Sequence, residues 1–421
     1  MKALVLSLMS VTVLPGEFRA AAVKVDITPT SPQWLLGYAP RKSAGTHDPI
    51  YHRVLALDDG RTQFYLVATD LCLFSPTLYD EVAADLKRRM SIEPKQFWWA
   101  VSHTHSAPEV GPRGVYDALL KGRSAHEWDR EYTKQVASSL ISAVEQARSK
   151  LQPARTQVGV GRSMANINRR AKDVDGRVSL GLNPDGPVDR QIGLIRFDRL
   201  DGSPIALIAN YAIHGTVLGG QSELISGDAP GVAAAYVEEK IGAPVLFING
   251  AAGDTAPIYS VYRDPKSGHL SQFRVLLGDR ILEGNSRLAP GSADVTLRLD
   301  ETYMESPLKT GLSWPTELAK YSRSEAGTTY IRLPIRFLTI GDTAIWAAPV
   351  ELFSEVAIHI RNLSPFTHTF YFGYTNGWFG YLPTAAGFAE GGYEPNTSVF
   401  TSKVEDDLVR HVSTFLDGVR R

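Results

Sequence analysis

Phe97-Trp98-Trp99-Ala100-Val101-Ser102-His103-Thr104-His105-Ser106 is the stretch that decides the reading of this sequence. Its first five residues are apolar and β-prone, the pattern of a buried strand. Two imidazoles then fall where that strand leaves its sheet, at positions i and i+2. On an extended backbone those positions share a face. Neutral imidazole is available at pH 7 and is the commonest protein ligand for a metal such as zinc. Two polar residues on a solvated strand end would carry the same letters, so the pair gains its meaning from the rest of the chain.

Strand-like and helix-like segments alternate outward from this point. Residues 63–68 read as a strand, and Ser75-Pro76 opens a helix to about Arg89, with Ser as N-cap and Pro in the first turn. The longest helical run is 128–151, where Tyr132, Val136, Leu140 and Val144 recur at helical spacing. Strands are expected at 156–161, 192–197, 205–211 and 244–248, with helices near 232–240 and 271–283. A β-rich stretch covers 295–299 and 329–348, and helices near 351–361 and 403–416 follow. The pattern predicts an α/β fold of mixed β-sheets packed in layers with flanking helices, rather than a doubly wound sheet. Residues 111–123 and 172–187 are polar, glycine-bearing loops that either rim a pocket or only connect elements. No linker marks an internal boundary, so 17–421 reads as a single large domain.

The 421 residues are 43% hydrophobic and 21% charged, which is ordinary for a globular chain with a sizeable core. With 44 basic against 45 acidic residues and no basic block, nucleic acid is excluded as a partner on electrostatic grounds. The lone Cys72 has no internal disulfide partner, and its apolar neighbours point to core packing. Met1-Lys2, an apolar run from Ala3 to Leu14 and the break at Pro15-Gly16 read as a signal peptide over 1–16. An exported protein, periplasmic or secreted, follows from that reading. A first core strand or an N-terminal extension is the alternative, and a cytoplasmic location goes with it. No stretch reaches the length of an integral membrane span, which leaves peripheral membrane contact open.

A zinc-dependent hydrolase needs three or four protein ligands and groups beside them to handle protons and an oxyanion. His103 and His105 are the first candidates. His214 follows the apolar run 208–213 and precedes Gly215; alone it reads more readily as a structural histidine. Glu351 sits in the apolar turn 345–353, where a carboxylate is unfavourable unless paired or metal-bound; a first-turn helix acid is an equal account. Tyr381, in Gly380-Tyr381-Leu382-Pro383, is a bare tyrosine that spacing alone would not make a ligand.

Taken in order, these residues resemble a known family. Val23-Lys24-Val25-Asp26-Ile27-Thr28-Pro29, Gly37-Tyr38, Asp70-Leu71, His103-Thr104-His105-Ser106, Asn168-Arg169, His214-Gly215-Thr216, Asn249-Gly250, Gly253-Asp254, Pro349-Val350-Glu351, Gly380-Tyr381 and Gly392-Tyr393-Glu394 are similar to the neutral/alkaline non-lysosomal ceramidases in their N-terminal catalytic domain. The likeness runs over about residues 20–400. It implies one Zn2+ per chain, ligated by His103, His214, Glu351 and Tyr381. It also implies that His105 and Arg169 handle the scissile carbonyl beside the metal, with Tyr393 as a further contact on the same oxygen. The implied reaction is hydrolysis of an amide by metal-activated water, on an N-acyl lipid of the ceramide type. Asp228 is expected either to orient a ligand imidazole or to cap the helix that follows it.

Two departures bear on that expectation. Where the family has a serine after Gly-Asp, this chain has Ala256, in Gly253-Asp254-Thr255-Ala256-Pro257. Alanine offers no oxygen, so an acyl-enzyme at this position is excluded and a metal–water mechanism is not. The chain also reads as the catalytic domain without the family's C-terminal immunoglobulin-like domain. A zinc hydrolase of another small amide or ester therefore stands as an alternative, and a non-catalytic metal-binding homologue as a third reading. Trp378, Phe379 and Phe388 either line an acyl cleft or pack. The partner expected is a small-molecule or lipid substrate, and the oligomeric state is left open.

Overall fold

Trp98 and Trp99 point to opposite faces of one strand, and each face is covered by a different layer. In the computed structural model, which describes residues 17–120, 122–123, 125–260 and 269–420, both are fully buried. The 1–16 segment read as a signal lies outside the described residues.

The strand Phe97–Val101 is one edge of an eight-stranded sheet. Across that sheet follow Gln63–Thr69, Tyr51–Asp58, Arg19–Asp26, Gln152–Arg162, Gln191–Arg199, Pro204–Tyr211 and Val245–Asn249. The pair at each end is parallel and the strands between are antiparallel, so the sheet is mixed. A second, five-stranded sheet is built from Leu297–Pro307, Ser322–Glu325, Thr328–Ile340, Thr343–Ala347 and His368–Phe372.

The two sheets pack face to face. Leu55, Leu66, Trp98, Ile208 and Leu246 of the first meet Leu338, Ile345, Phe370 and Phe372 of the second in one buried cluster. On the other face of the large sheet, Val54, Val67 and Trp99 pack against the helices Pro76–Met90 and Arg130–Ser149, and Leu207 and Ala209 against the helix Asp228–Ile241. The outer face of the second sheet is covered by Ser354–Leu363 and Val404–Arg420 through Ile335, Trp346, Ile360, Leu408 and Val412. The architecture is helix, sheet, sheet, helix. A strand buried on both faces reads as an unbroken apolar run instead of an alternation, which is why 97–101 carries no polar residue.

Several elements depart from the sequence expectation. Tyr51–Asp58 is a central strand that its letters conceal, because His52 and Arg53 interrupt the apolar pattern. Both are buried and satisfied: Arg53 pairs with Asp70 at 2.8 Å and Glu238 at 2.7 Å. The 172–187 region is only partly loop, since Val178–Asn183 forms a hairpin with Asn166–Lys172. The 111–123 region holds the short helix Val115–Leu119. Among the described residues no helix is long and apolar enough to cross a membrane.

Candidate metal centre and its cavity

Both parallel edge pairs of the large sheet feed the same place. His103 follows Phe97–Val101 and His214 follows Pro204–Tyr211. The two segments are stitched by a bridge between Thr104 and Gly215, with Gly215 N donating to the His103 carbonyl at 3.2 Å and His105 N to the Gly215 carbonyl at 2.8 Å. A Cβ on Gly215 would come within 2.5 Å of Thr104 Cα, so only glycine allows this approach. His103 itself adopts φ +62, a left-handed backbone that a histidine rarely takes without a constraint.

The third group arrives from the second half of the chain. Glu351 pairs with Tyr381 in a two-residue parallel ladder, Glu351–Leu352 against Tyr381–Leu382. Gly253 N donates to the Leu352 carbonyl at 2.8 Å, and a Cβ on Gly253 would lie 2.5 Å from the Glu351 carbonyl oxygen. The Gly253-Asp254 motif is therefore a packing device that brings Glu351 to the histidines.

The ligand atoms converge. Glu351 Oε2 lies 3.3 Å from His103 Nε2 and 3.2 Å from His214 Nε2. His105 Nε2 is 3.2 Å from His103 Nε2. His103 donates through Nδ1 to the Cys72 carbonyl at 2.8 Å, which turns its Nε2 to Glu351. Two imidazole nitrogens and a carboxylate oxygen within 4.8 Å of one another form a donor set that fits a zinc-like divalent cation. Cys72, His103 and His105 also cluster, but the His103 Nδ1 that faces Cys72 is already committed to that residue's carbonyl. Trp378 Nε1 donates to Glu351 Oε1 at 2.9 Å, and Tyr374 stacks on His103 with centroids 4.3 Å apart.

Charge is shared unevenly in this cluster. Burial pushes Glu351 up, but His103 beside it prevails and holds the carboxyl well below its usual range. Burial opposes a charged His103, yet Glu351 lifts it to about 10. His214 is pushed down to about 3 by burial, Arg169 and His103. Burial together with the neighbouring His103 and His214 keeps His105 well below its ordinary value, so its ring is neutral.

Arg169 reaches three partners at once. Nε donates to Glu394 Oε1 at 3.0 Å, Nη1 to His214 Nε2 at 2.9 Å and Nη2 to the Tyr381 hydroxyl at 3.0 Å. Glu394 also accepts from Arg170 at 2.6 Å. His105, Arg169, Tyr381 and Tyr393 together line an open cavity of about 380 Å³. Ala256 lies on the same wall, while the Thr255 hydroxyl turns away to Asp254 at 3.3 Å.

Some expectations end elsewhere. Asp228 orients no imidazole: its carboxylate accepts from the amides of Val217 and Leu218 at 3.0 Å and of Ala229 at 2.7 Å. It closes the loop after His214 and the start of its helix. Trp378 and Phe379 pack in the second core instead of lining a cleft, and Phe388 packs against that core. Sequence reasoning did not assign Tyr374, Glu394 or Arg123 to the site, and it gave Trp378 no bond to Glu351. Only Glu394 had a visible signal, in Gly392-Tyr393-Glu394.

A family model described as neutral/alkaline non-lysosomal ceramidase, N-terminal, matches residues 18–257. The chain belongs to this family. The matched segment of this ceramidase-family chain contains His103, His105, Arg169 and His214, whereas Glu351, Tyr381 and Tyr393 lie beyond it. It is 26% identical over 257 residues to a neutral ceramidase of Pseudomonas aeruginosa, covering 57% of this chain and 37% of that protein. Neutral ceramidase B of Dictyostelium discoideum is 25% identical over 284 residues, covering 61% of this chain and 36% of that one. The chain thus spans well under half the length of these relatives. A crystal structure of the Pseudomonas aeruginosa neutral ceramidase has the same fold, with a TM-score of 0.77 at 20% identity over 96% of this chain and 74% of that one. A ceramidase complexed with C2 gives 0.77 at 18% identity, over 96% and 75%.

Proposed function

We propose that this ceramidase-family chain is a zinc-dependent hydrolase that cleaves an acyl amide with water, the family's N-acyl lipids being the first substrates to consider. The observation that carries the reading is the convergence of His103 Nε2, His214 Nε2 and Glu351 Oε2 at a cavity lined by His105, Arg169, Tyr381 and Tyr393. His103, His214, Glu351 and the Tyr381 phenol are the proposed ligands. Zinc held there would supply Lewis acidity to water and carbonyl alike.

The rest of the chemistry falls to the chain. In the overall reaction the water oxygen joins the acyl carbon, the C–N bond breaks and a proton passes to the departing amine. His105 lines the cavity beside the cluster, with Nε2 3.2 Å from His103 Nε2, and is placed to pass a proton from water to the departing amine. Arg169 is permanently charged: Tyr381 and Glu394 outweigh the burial that opposes its charge. Its guanidinium and the Tyr393 hydroxyl are suited to stabilise the oxyanion. Glu394 fixes the guanidinium plane through Nε and leaves Nη1 and Nη2 turned to the site.

Ala256 on the cavity wall supports direct attack by water, since the strand Thr255–Pro257 turns no hydroxyl to the cavity. The same residue and the modest cavity volume favour a second reading, a smaller amide or ester as substrate. The test is elemental analysis together with turnover of N-acyl and O-acyl compounds. About one zinc per chain is expected, with metal and turnover lost together in His103→Ala and Glu351→Ala. Undiminished turnover in both variants would refute the proposal.

A further inference from the structure

The cavity beside the metal cluster has an unusual charge balance. Its lining includes Arg169 and Arg123 and, among the described residues, neither aspartate nor glutamate. Arg169 is answered by Glu394 at 3.0 Å. Arg123 is not answered: among the described residues its guanidinium meets only the ring of Tyr393, 5.8 Å from the centroid.

A third guanidinium lies immediately behind the wall. Arg41 is 8% exposed and forms no ion pair among the described residues. It donates through Nε to the Ser222 carbonyl at 2.7 Å and through Nη2 to the carbonyl of His105. Its guanidinium carbon stands 5.0 Å from the ring centroid of Tyr38, a cavity residue, and its Nη1 is buried without a partner. A buried cation without a counter-charge is unfavourable. The buried Arg41 and the half-buried Arg123, neither in an ion pair among the described residues, stand at one cavity next to a proposed divalent cation and create a positive field. An uncharged alcohol headgroup would leave that field unbalanced, whereas an anion would neutralise it. Leu180, 51% exposed on the cavity rim, offers an apolar contact at the mouth for the other end of the molecule.

We propose that the acyl amide taken by this site carries a negatively charged group, a carboxylate or a phosphate, on the end received by Arg123. This rests on the hydrolase reading and narrows its substrate class from neutral N-acyl alcohols to anionic N-acyl amides. Hydrolysis then yields the fatty acid and an amine that bears the anion, with one water consumed.

The test uses the full chain reconstituted with zinc. N-lauroylglycine and phosphorylated N-lauroylethanolamine are compared with neutral N-lauroylethanolamine and with a short-chain ceramide. A charge-assisted hydrogen bond predicts kcat/KM at least about ten-fold higher for one or both anions than for the neutral amides. Arg123→Gln should collapse that ratio towards one, and Arg123→Lys should restore part of it. Calorimetry with N-lauroylglycine gives a second readout, a Kd at least about ten-fold weaker in Arg123→Gln. Equal or better turnover of the neutral amides would overturn the proposal and leave the hydrolase reading standing. So would a charge preference that survives Arg123→Gln. If none of the compounds is turned over, the acyl-amide reading fails and calorimetry decides the anion site alone: weaker binding in Arg123→Gln supports it and an unchanged Kd overturns it.

Discussion

Trp378 Nε1 donates to Glu351 Oε1 over 2.9 Å, and this bond leaves the other carboxylate oxygen turned to His103 and His214. Trp378 is buried and does not line the cavity, so it acts through Glu351. Groups that orient a metal ligand typically alter affinity by about 10–100-fold when removed. Trp378→Phe should therefore weaken zinc binding by about that factor, measured by competition with a chromophoric chelator. Trp98→Phe is the control. Trp98 Nε1 has no hydrogen-bond partner among the described residues and lies between the sheets, so metal affinity should not move.

Glu394 bridges two adjacent buried guanidiniums, Arg169 at 3.0 Å and Arg170 at 2.6 Å, and Arg170 also meets Glu390 at 3.3 Å. Removing one partner of a buried ion pair leaves an uncompensated charge and costs about 3–5 kcal/mol. Glu394→Gln keeps the shape and loses the charge. Unfolding in urea should show a loss of at least about 2 kcal/mol, together with reduced kcat because Arg169 is no longer held. Stability equal to wild type would show that the pair is not the constraint on Arg169.

Gly215 has no space for a side chain, because a Cβ would stand 2.5 Å from Thr104 Cα and 2.9 Å from the His103 carbonyl oxygen. Gly215→Ala must push the His103 and His214 segments apart. Overpacking of this kind costs about 1–3 kcal/mol, and here the displacement acts directly on two proposed ligands. Zinc affinity should fall along with thermal stability. Gly202→Ala, at a turn with open space around it, should leave zinc affinity unchanged.

His52 supplies a pH signature distant from the metal cluster. It is fully buried between the Thr69 hydroxyl, at 2.7 Å from Nδ1, and the Val136 carbonyl, at 3.0 Å from Nε2. Trp99 donates to Thr69 Oγ1 at 2.8 Å, so the Thr69 hydroxyl is free to donate to Nδ1 and His52 is neutral with its proton on Nε2. Burial pushes its pKa down from 6.5 to about 4. Above pH 6.5 the folded and unfolded chains are both neutral at this residue, and its contribution to stability is fully present. Below that, the unfolded chain takes up the proton first, and stability falls until the folded pKa is reached. The loss between pH 6.5 and 4 is about 3 kcal/mol. Urea unfolding across that window should be less pH-dependent in His52→Gln by close to one proton.

Legibility in the sequence followed locality. The apolar runs at 97–101 and 245–249, the helix after Ser75 and the long helix through Tyr132 and Val144 are written in contiguous windows, and the structure places elements there. Tyr51–Asp58 escaped because His52 and Arg53 resemble surface letters, and only their partners Thr69, Asp70 and Glu238 make them core. Trp378 read as a cleft or packing aromatic, and nothing in its window showed a bond to Glu351, since that partner is brought to it by the fold. Arg123 looked like one more loop cation, because no sequence window records that a neighbouring carboxylate is missing.

By itself the sequence determined which segments bury two faces, where the imidazole pair leaves its strand and which glycines punctuate the turns, because each is a short-range property of the chain. Tertiary structure alone decided that Glu351 meets His103 and His214, that Arg169 bridges His214, Tyr381 and Glu394, and that Arg123 faces a cavity without a counter-charge. Those relations depend on strand pairing and on glycine-permitted backbone approaches between distant segments, and such contacts form only when the separate layers close around a shared core.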